Sequence, residues 1–156
     1  MRLLALFLIC PAVPAFACEP ILSCTAKGGA REIELCLDGD AFTYAYGPLG
    51  GPPELRLTEP LTNGTLYPWQ GVGRAISESI TFINGPYRYE VSYSVDRLDE
   101  NHPTDGGVHV TRNGADVALI PCDPGAKTGF FAAQDAMTAL GLCWSRDAQG
   151  WTPICP

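Results

Sequence analysis

Alternation of apolar and polar side chains with a period of two is the feature of this sequence that most restricts its fold. The segment YRYEVSYSVD, residues 87–96, places tyrosine or valine at every second position and polar residues between them. The segment REIELCL, residues 31–37, alternates in the same way. Successive side chains of a β-strand point to opposite faces, so this pattern is typical of antiparallel strands with one buried face.

About eight such strands are predicted between residues 20 and 122, and turn sequences such as NGA at 113–115 separate them. The segments between the strands are too short to supply the crossover helices that a parallel sheet requires. We therefore predict a mainly β fold built as a small antiparallel meander barrel, because closure removes exposed strand edges. A strongly curved sandwich is the alternative.

One helix is predicted within KTGFFAAQDAMTALGL, residues 127–142. Its apolar stripe consists of Phe130, Ala133, Met137 and Leu140. Thr128 is suited to cap the start of this helix, and Gly141 is suited to end it. The stripe is expected to pack against the side or the open end of the barrel.

Six cysteines follow residue 17, and an even number allows three disulfide bonds. They are Cys18, Cys24, Cys36, Cys122, Cys143 and Cys155. Close pairs such as C-x-x-C, which zinc sites and redox motifs use, do not occur in the sequence. We predict that Cys143–Cys155 closes a small C-terminal tail loop, and the other four cysteines allow three pairings.

The N-terminus, residues 1–17, has the composition of a signal peptide. Arg2 precedes a short apolar stretch, and Ala15-Phe16-Ala17 provides a small-x-small cleavage signal before Cys18. Bacterial lipoproteins also carry cysteine at this position, but the bulky Phe16 and the even number of cysteines favour a disulfide over a lipid. We therefore predict one disulfide-bonded β domain over residues 18–156, located in the periplasm or secreted. We expect no membrane insertion, because no later apolar run is long enough.

The charge of the chain restricts its partners. The sequence has 10 Lys and Arg residues against 17 Asp and Glu residues, and loss of residues 1–17 removes one more positive charge, that of Arg2. An acidic surface disfavours nucleic acids and anionic membranes and favours a basic protein as partner. We expect the protein to be a monomer.

Two segments are candidate contact surfaces. The loop TNGTLYPWQGVGR, residues 62–74, carries Tyr67 and Trp69, and exposed tyrosine and tryptophan are frequent contact anchors. Alternatively, Trp69 folds back as a lid on the core. The segment DRLDENHPTDGG, residues 96–107, concentrates carboxylates, of which Asp99 and Glu100 are the predicted contact residues.

The same acidic segment is the strongest candidate for a metal site. Loops rich in aspartate, asparagine and glycine bind Ca²⁺, but this spacing differs from that of the EF-hand loop, so we expect weak metal binding at most. Five carboxylates, including the more distant Asp116, are expected near one end of the barrel. A plain solvated loop is the simplest interpretation.

Catalytic motifs give no support for an enzyme. The sequence contains no G-x-S-x-G, P-loop, G-x-G-x-x-G or H-E-x-x-H motif, and His109 is expected to face solvent from a strand. Nothing in the sequence pairs two acids as glycoside hydrolysis requires. We predict no catalytic residue, no cofactor and no resident metal.

Three stretches of the chain, LSCTAKGGAREIELCLDGDAFTYAYGPLGG, YPWQGVGRAISESITFINGPYRYEVSYSVDRLDENHP and CDPG, resemble an uncharacterised family of small exported proteobacterial proteins. The resemblance implies an exported location and no particular activity. In architecture the chain also resembles the periplasmic C-type lysozyme inhibitors, although it lacks their S-G-x-x-Y loop.

These observations lead to two expectations about function. The first is an exported, non-enzymatic binding protein of unknown ligand, for example an inhibitor of a cationic hydrolase that acts on the cell envelope. The alternative is a carboxylate-dependent hydrolase that acts on cell-envelope polymers.

Overall fold

The structure is a computed structural model that describes residues 18–155, so the predicted signal peptide lies outside the described residues. The described chain is mainly β, with twelve strands, a 3₁₀ turn and one α-helix. The strands are β1 Glu19–Ala26, β2 Arg31–Asp38, β3 Ala41–Pro48, β4 Leu55–Pro60, β5 Leu66–Tyr67, β6 Ala75–Asn84, β7 Tyr87–Asp96, β8 Thr104–Arg112, β9 Ala115–Pro121, β10 Lys127–Thr128, β11 Cys143–Ser145 and β12 Gly150–Thr152. The helix α1 is Ala132–Ala139.

Two five-stranded antiparallel sheets and one small hairpin make up the fold. The first sheet has the order β10-β1-β2-β3-β4, the second has the order β5-β6-β7-β8-β9, and β11 pairs with β12. Strands that are consecutive in sequence are therefore neighbours in each sheet, except at β10. The predicted NGA hairpin is confirmed, because Arg112 pairs with Ala115 across Asn113 and Gly114, both of which have positive φ as a tight turn requires.

The hydrophobic core contains buried residues from both sheets and from α1. Tyr44 of β3 packs against Phe82 of β6 with ring centroids 5.7 Å apart, and α1 contributes Ala133 and Met137. The predicted alternation is confirmed in β7, where Val91 and Tyr93 are buried and the residues between them face outward. In β7 the period-two pattern thus identified the side of the strand that packs inward.

All six cysteines of the described chain form disulfide bonds. Cys143–Cys155 is present as predicted, and the four other cysteines pair as Cys18–Cys36 and Cys24–Cys122. The sulfur of Cys18 is bonded to that of Cys36, so it is not available for a lipid thioether. Three disulfides indicate an oxidising, non-cytoplasmic environment.

The structure does not show the predicted barrel. Within residues 18–155 the two sheets stay open, and one bridge between Ala26 and Cys122 is the main-chain pairing that links β1 to the end of the second sheet. On the other side, β5 has two residues and is followed by Pro68, which has no N–H to continue a ladder. The two sheets therefore meet through side chains and the Cys24–Cys122 bond rather than through continuous hydrogen bonding.

The helix α1 begins later than predicted, at Ala132, because Thr128 pairs with Leu22 in β10 and does not cap it. The end is as predicted. Gly141 has φ +77°, its N–H donates to Thr138 O over 2.8 Å, and the N–H of Leu142 donates to Met137 O over 3.2 Å. These two bonds form a Schellman motif, which requires a left-handed residue after the helix.

Candidate functional site

Trp69 and the acidic segment lie on one surface, which a common contact site would require. The guanidinium carbon of Arg97 lies 5.1 Å from the centre of the Trp69 ring, and Arg97 Nε donates to Gly73 O over 3.1 Å. The indole N–H of Trp69 donates to Val72 O over 2.9 Å. Trp69 is thus half-buried under a guanidinium group, neither fully exposed nor a member of the core cluster.

The acidic segment is a tight turn whose carboxylates make local hydrogen bonds. Residues 97–103 connect β7 to β8, whereas residues 104–107 belong to β8. Asp96 forms an ion pair with Arg74 and accepts the N–H of Leu98, and these bonds hold the pKa of Asp96 below its ordinary value, with the Arg74 bond as the largest cause. Asp99 accepts the N–H of Asn101 over 2.9 Å. The turn is therefore fixed by its own acids.

We call the surface formed by Trp69, Arg74, Asp96, Arg97, Asp99 and Glu100 the Trp69 surface. A depression of about 500 Å³ adjoins it and is lined by three carboxylates, those of Asp96, Asp105 and Asp123. Together these residues supply five carboxylates and two guanidinium groups, so these seven groups sum to a charge of −3. Asp116, whose carboxylate was expected at the same end of the molecule, is not part of this surface.

Asp116 lies at the opposite end of β8. It pairs in register with Thr111, and its carboxylate contacts His109 Nε2 at 2.9 Å. Seven residues of strand separate Thr111 from Thr104, which corresponds to about 23 Å. The expectation that five carboxylates share one end, Asp116 among them, is therefore wrong, because the meander returns β9 from the far end of β8.

Tyr67 faces a different surface from Trp69. The two rings have different partners. Tyr67 contacts Trp144 and Gln149, whereas Trp69 contacts Arg97 and Val72. Tyr67 packs edge-to-face on Trp144 with ring centroids 5.3 Å apart, and Trp144 packs in the same manner on Trp151 at 5.8 Å. Sequence reasoning did not select Trp144 or Trp151, because only the tertiary fold brings the C-terminal hairpin to β5.

These aromatic rings form one wall of a groove on the solvent face of the second sheet. We call it the outer groove and define it by six residues: Tyr67, Ser79, Thr81, Arg88, Glu90 and Trp144. Its volume is about 510 Å³. Its floor comes from the outward-facing positions of β6 and β7.

A buried carboxyl, that of Glu78, lies beneath α1. Glu78 is 2% exposed, and its two oxygens accept hydrogen bonds from the Tyr93 hydroxyl and from the Gln134 amide. Burial raises the pKa of Glu78, although both hydrogen bonds act in the opposite direction. Because Glu78 is enclosed by core residues, its role is to join α1 to the second sheet.

No cluster of potential metal ligands is present in the part of the chain that the structure describes. Residues 18–155 contain no group of three or more histidine, cysteine, aspartate or glutamate side chains placed to hold a metal ion. His102 lies in the acidic turn, where its Nδ1 is 3.2 Å from Asp96 O. His109 is half-buried on the outer face of β8, beside Asp116.

The fold and the sites define a class of protein: a disulfide-bonded, antiparallel two-sheet protein with an acidic end and an aromatic groove. Comparison with protein-family models, with curated proteins and with solved structures finds no match for this chain. The resemblance to small exported proteobacterial proteins therefore stays a prediction. Among residues 18–155, no helix has the length and apolar character needed to cross a membrane.

Proposed function

We propose that this protein is an exported binding protein, periplasmic or secreted, that docks a basic protein through the Trp69 surface. The observation that carries the proposal is the contact of Trp69 with Arg97, which belongs to the same turn as Asp99 and Glu100. An aromatic anchor beside a patch with an excess of one charge is a common arrangement of protein interfaces. A cationic hydrolase that acts on the cell envelope is the concrete partner.

The rigidity of the acidic turn supports this role. Asp96 and Asp99 accept main-chain N–H groups of their own turn, so their carboxylates are positioned before a partner arrives. Preorganised groups lose less conformational entropy on binding. The excess of carboxylates over guanidinium groups at this surface attracts a cationic partner from a distance and accelerates association at low salt.

A hydrolase is not favoured by the placement of the acids. The one deeply buried carboxyl in the described chain, Glu78, has both oxygens engaged by Tyr93 and Gln134 and faces the core. A catalytic pair needs two acids that face one cleft from different environments. The Trp69 surface instead offers exposed acids and a ring.

Binding to a basic muramidase at low and moderate salt tests the proposal. The variant Asp99→Asn/Glu100→Gln should lose about two- to thirtyfold in affinity at low salt, which corresponds to two exposed ion pairs. The matched control, Glu32→Gln/Glu34→Gln, makes the same change of charge on β2 of the other sheet and should keep the affinity. Trp69→Ala should weaken binding at both salt concentrations.

Two results would overturn this assignment. The first is the absence of binding to the muramidase at any salt concentration. The second is an equal loss of affinity in the two charge variants together with no effect of Trp69→Ala, which would make the attraction a nonspecific consequence of net charge.

Export is tested separately by the intact mass of the protein produced with its full N-terminus. We expect a chain that begins at Cys18, carries three disulfide bonds and has no titratable thiol after denaturation. A mass increase that matches a diacylglycerol would show that Cys18 carries a lipid instead.

A further inference from the structure

The outer groove combines three properties that a plain solvent-facing sheet does not need together. It has an aromatic wall made by Tyr67 and Trp144, a floor of small hydroxyl side chains, and a depth that gives it a volume of about 510 Å³. Tyr67 is 47% exposed, so its ring remains accessible beside its contact with Trp144. Concave sites with aromatic walls and a few polar groups are typical of small-ligand binding.

The aromatic wall is held rigidly. The Trp144 indole N–H donates to Gln70 Oε1 over 3.2 Å, and the Trp151 indole N–H donates to Leu66 O over 2.7 Å. The Cys143–Cys155 bond closes the same hairpin. The wall is therefore preorganised, which reduces the entropic cost of binding a ligand.

The floor of the groove extends across the sheet in a single register row. Tyr67 lies opposite Ser79, Ser79 opposite Ser92, Ser92 opposite Gly107, and Gly107 opposite Pro121. Four steps between neighbouring strands span about 19 Å. A second depression of about 350 Å³ lies over the far half of this row and is lined by Ser92, Gly107 and Leu119. Its one charged residue, Asp105, accepts the main-chain N–H of Gly106 over 2.7 Å. The row therefore fits a ligand that is long and narrow.

The charges in the groove favour a neutral ligand. Its two ionic side chains, Arg88 and Glu90, face outward from β7 and contact each other at 3.4 Å, so their charges largely cancel. This balance contrasts with the excess of carboxylates at the Trp69 surface and in the depression beside it. Serine and threonine hydroxyls both donate and accept hydrogen bonds, as a polyhydroxylated ligand requires.

We propose that the outer groove binds a neutral oligosaccharide that lies across strands β5 to β9. A sugar ring would pack its C–H face on Tyr67, since aromatic rings combine apolar area with a negative face. Its hydroxyl groups would bond to Ser79, Thr81 and the Arg88–Glu90 pair. The outer groove shares no residue with the Trp69 surface, so the proposal does not depend on the binding of a basic protein.

The test is a titration of the ¹⁵N-labelled protein with cellotetraose, maltotetraose and chitotetraose, followed by the indole N–H signals. We expect at least one of these neutral oligosaccharides to shift the Trp144 signal at millimolar concentration while the Trp69 signal stays in place. Tyr67→Ala should weaken binding at least tenfold, and Ser79→Ala, which removes one floor hydroxyl with little effect on folding, should weaken it severalfold. Trp69→Phe is the matched aromatic control and should leave binding unchanged.

Three results would overturn the assignment. No shift of Trp144 with any of the three saccharides would show that the groove does not take such ligands. Equal binding by the wild type and by both groove variants would place the saccharide elsewhere. A shift of Trp144 with tetralysine, but not with the saccharides, would show that the groove binds cations.

Discussion

Replacing Glu78 with glutamine is expected to stabilise the protein near pH 7 and to have little effect near pH 4. Burial raises the pKa of Glu78 above its ordinary value of 4.5, although its bonds with Tyr93 and Gln134 lower it, while the charge of Asp135 adds to the increase. Between the two pKa values the folded protein binds more protons than the unfolded chain, so the free energy of unfolding decreases as the pH rises. The stability that the protonated Glu78 contributes to the folded state is fully present below pH 4.5 and is lost as the pH rises through the native pKa.

The size of this effect follows from linkage. Each pH unit between the unfolded and the native pKa of Glu78 costs up to about 1.4 kcal/mol of unfolding free energy. Glutamine keeps the shape of the side chain and has no charge to lose. Its carbonyl oxygen can accept the Tyr93 hydroxyl, and rotation of the Gln134 amide can present an oxygen to its NH₂ group.

The variant Tyr93→Phe tests whether the Tyr93 hydroxyl stabilises the fold through its hydrogen bond to the Glu78 carboxyl. At a pH where Glu78 is ionised, the loss of this donor should cost about 1.5–3 kcal/mol, against about 0.5–1.5 kcal/mol when Glu78 is already glutamine. Phenylalanine keeps the ring that packs on Phe130 at 5.4 Å, so packing is conserved. The difference between the two costs is the coupling energy of a double-mutant cycle.

Urea unfolding with intact disulfides at about pH 4 and about pH 7 provides both measurements. A constant difference between wild type and Glu78→Gln at the two pH values would refute the raised pKa. An equal cost of Tyr93→Phe in the two backgrounds would show that the hydroxyl does not act through the carboxyl.

Three further predictions concern the stability of the fold. Replacing both Cys24 and Cys122 with alanine opens a loop of 98 residues and should lower the free energy of unfolding by about 4–5 kcal/mol. Replacing Cys143 and Cys155 opens a loop of only 12 residues and should cost less, and thermal unfolding of the two variants should show this order. Asp123→Asn should lower the melting temperature and speed hydrogen exchange at the Gly28 amide, which donates to this carboxylate over 3.0 Å; unchanged exchange would contradict the assigned bond. Gly107→Ala should destabilise by about 1–3 kcal/mol, because the new Cβ would lie 2.8 Å from a β9 carbonyl oxygen, and an unchanged melting temperature would refute this close approach.

Local pattern predicted the strands well, because each strand has one buried face. Tyr44 and Val91 were assigned to the inner face from alternation alone, and both are buried. The clearest exception is β3, where Thr43 and Ala45 are buried on the outer face as well. The proline-rich segment after β3 folds back on this strand, with Pro53 close to Gly47, and alternation carries no signal for such a cover.

Longer-range features could not be predicted, because they depend on how the two sheets meet. Four cysteines allow three pairings, and the one observed follows from the placement of Cys122 beside β1. The contact of Tyr67 with Trp144 joins residues far apart in sequence, so Tyr67 was the one residue of the outer groove that the sequence identified as a candidate. The Trp69 surface was predicted more fully, since both of its segments flank the β6–β7 hairpin.

The pairing of the first three cysteines has a consequence for how the chain becomes oxidised during biogenesis. Cys24 lies inside the loop that Cys18 and Cys36 close, and its own partner, Cys122, is 98 residues further along the chain. When the N-terminus of the chain enters an oxidising compartment first, Cys18 and Cys24 are the first two cysteines to be exposed there. Oxidation in order of appearance would therefore join Cys18 to Cys24, which is not a native pair. Native pairing then requires exchange through a mixed disulfide, a step that takes seconds to hours and that a disulfide isomerase accelerates. The yield of folded protein should therefore depend on such an isomerase, even though the hairpins of both sheets form from neighbouring segments.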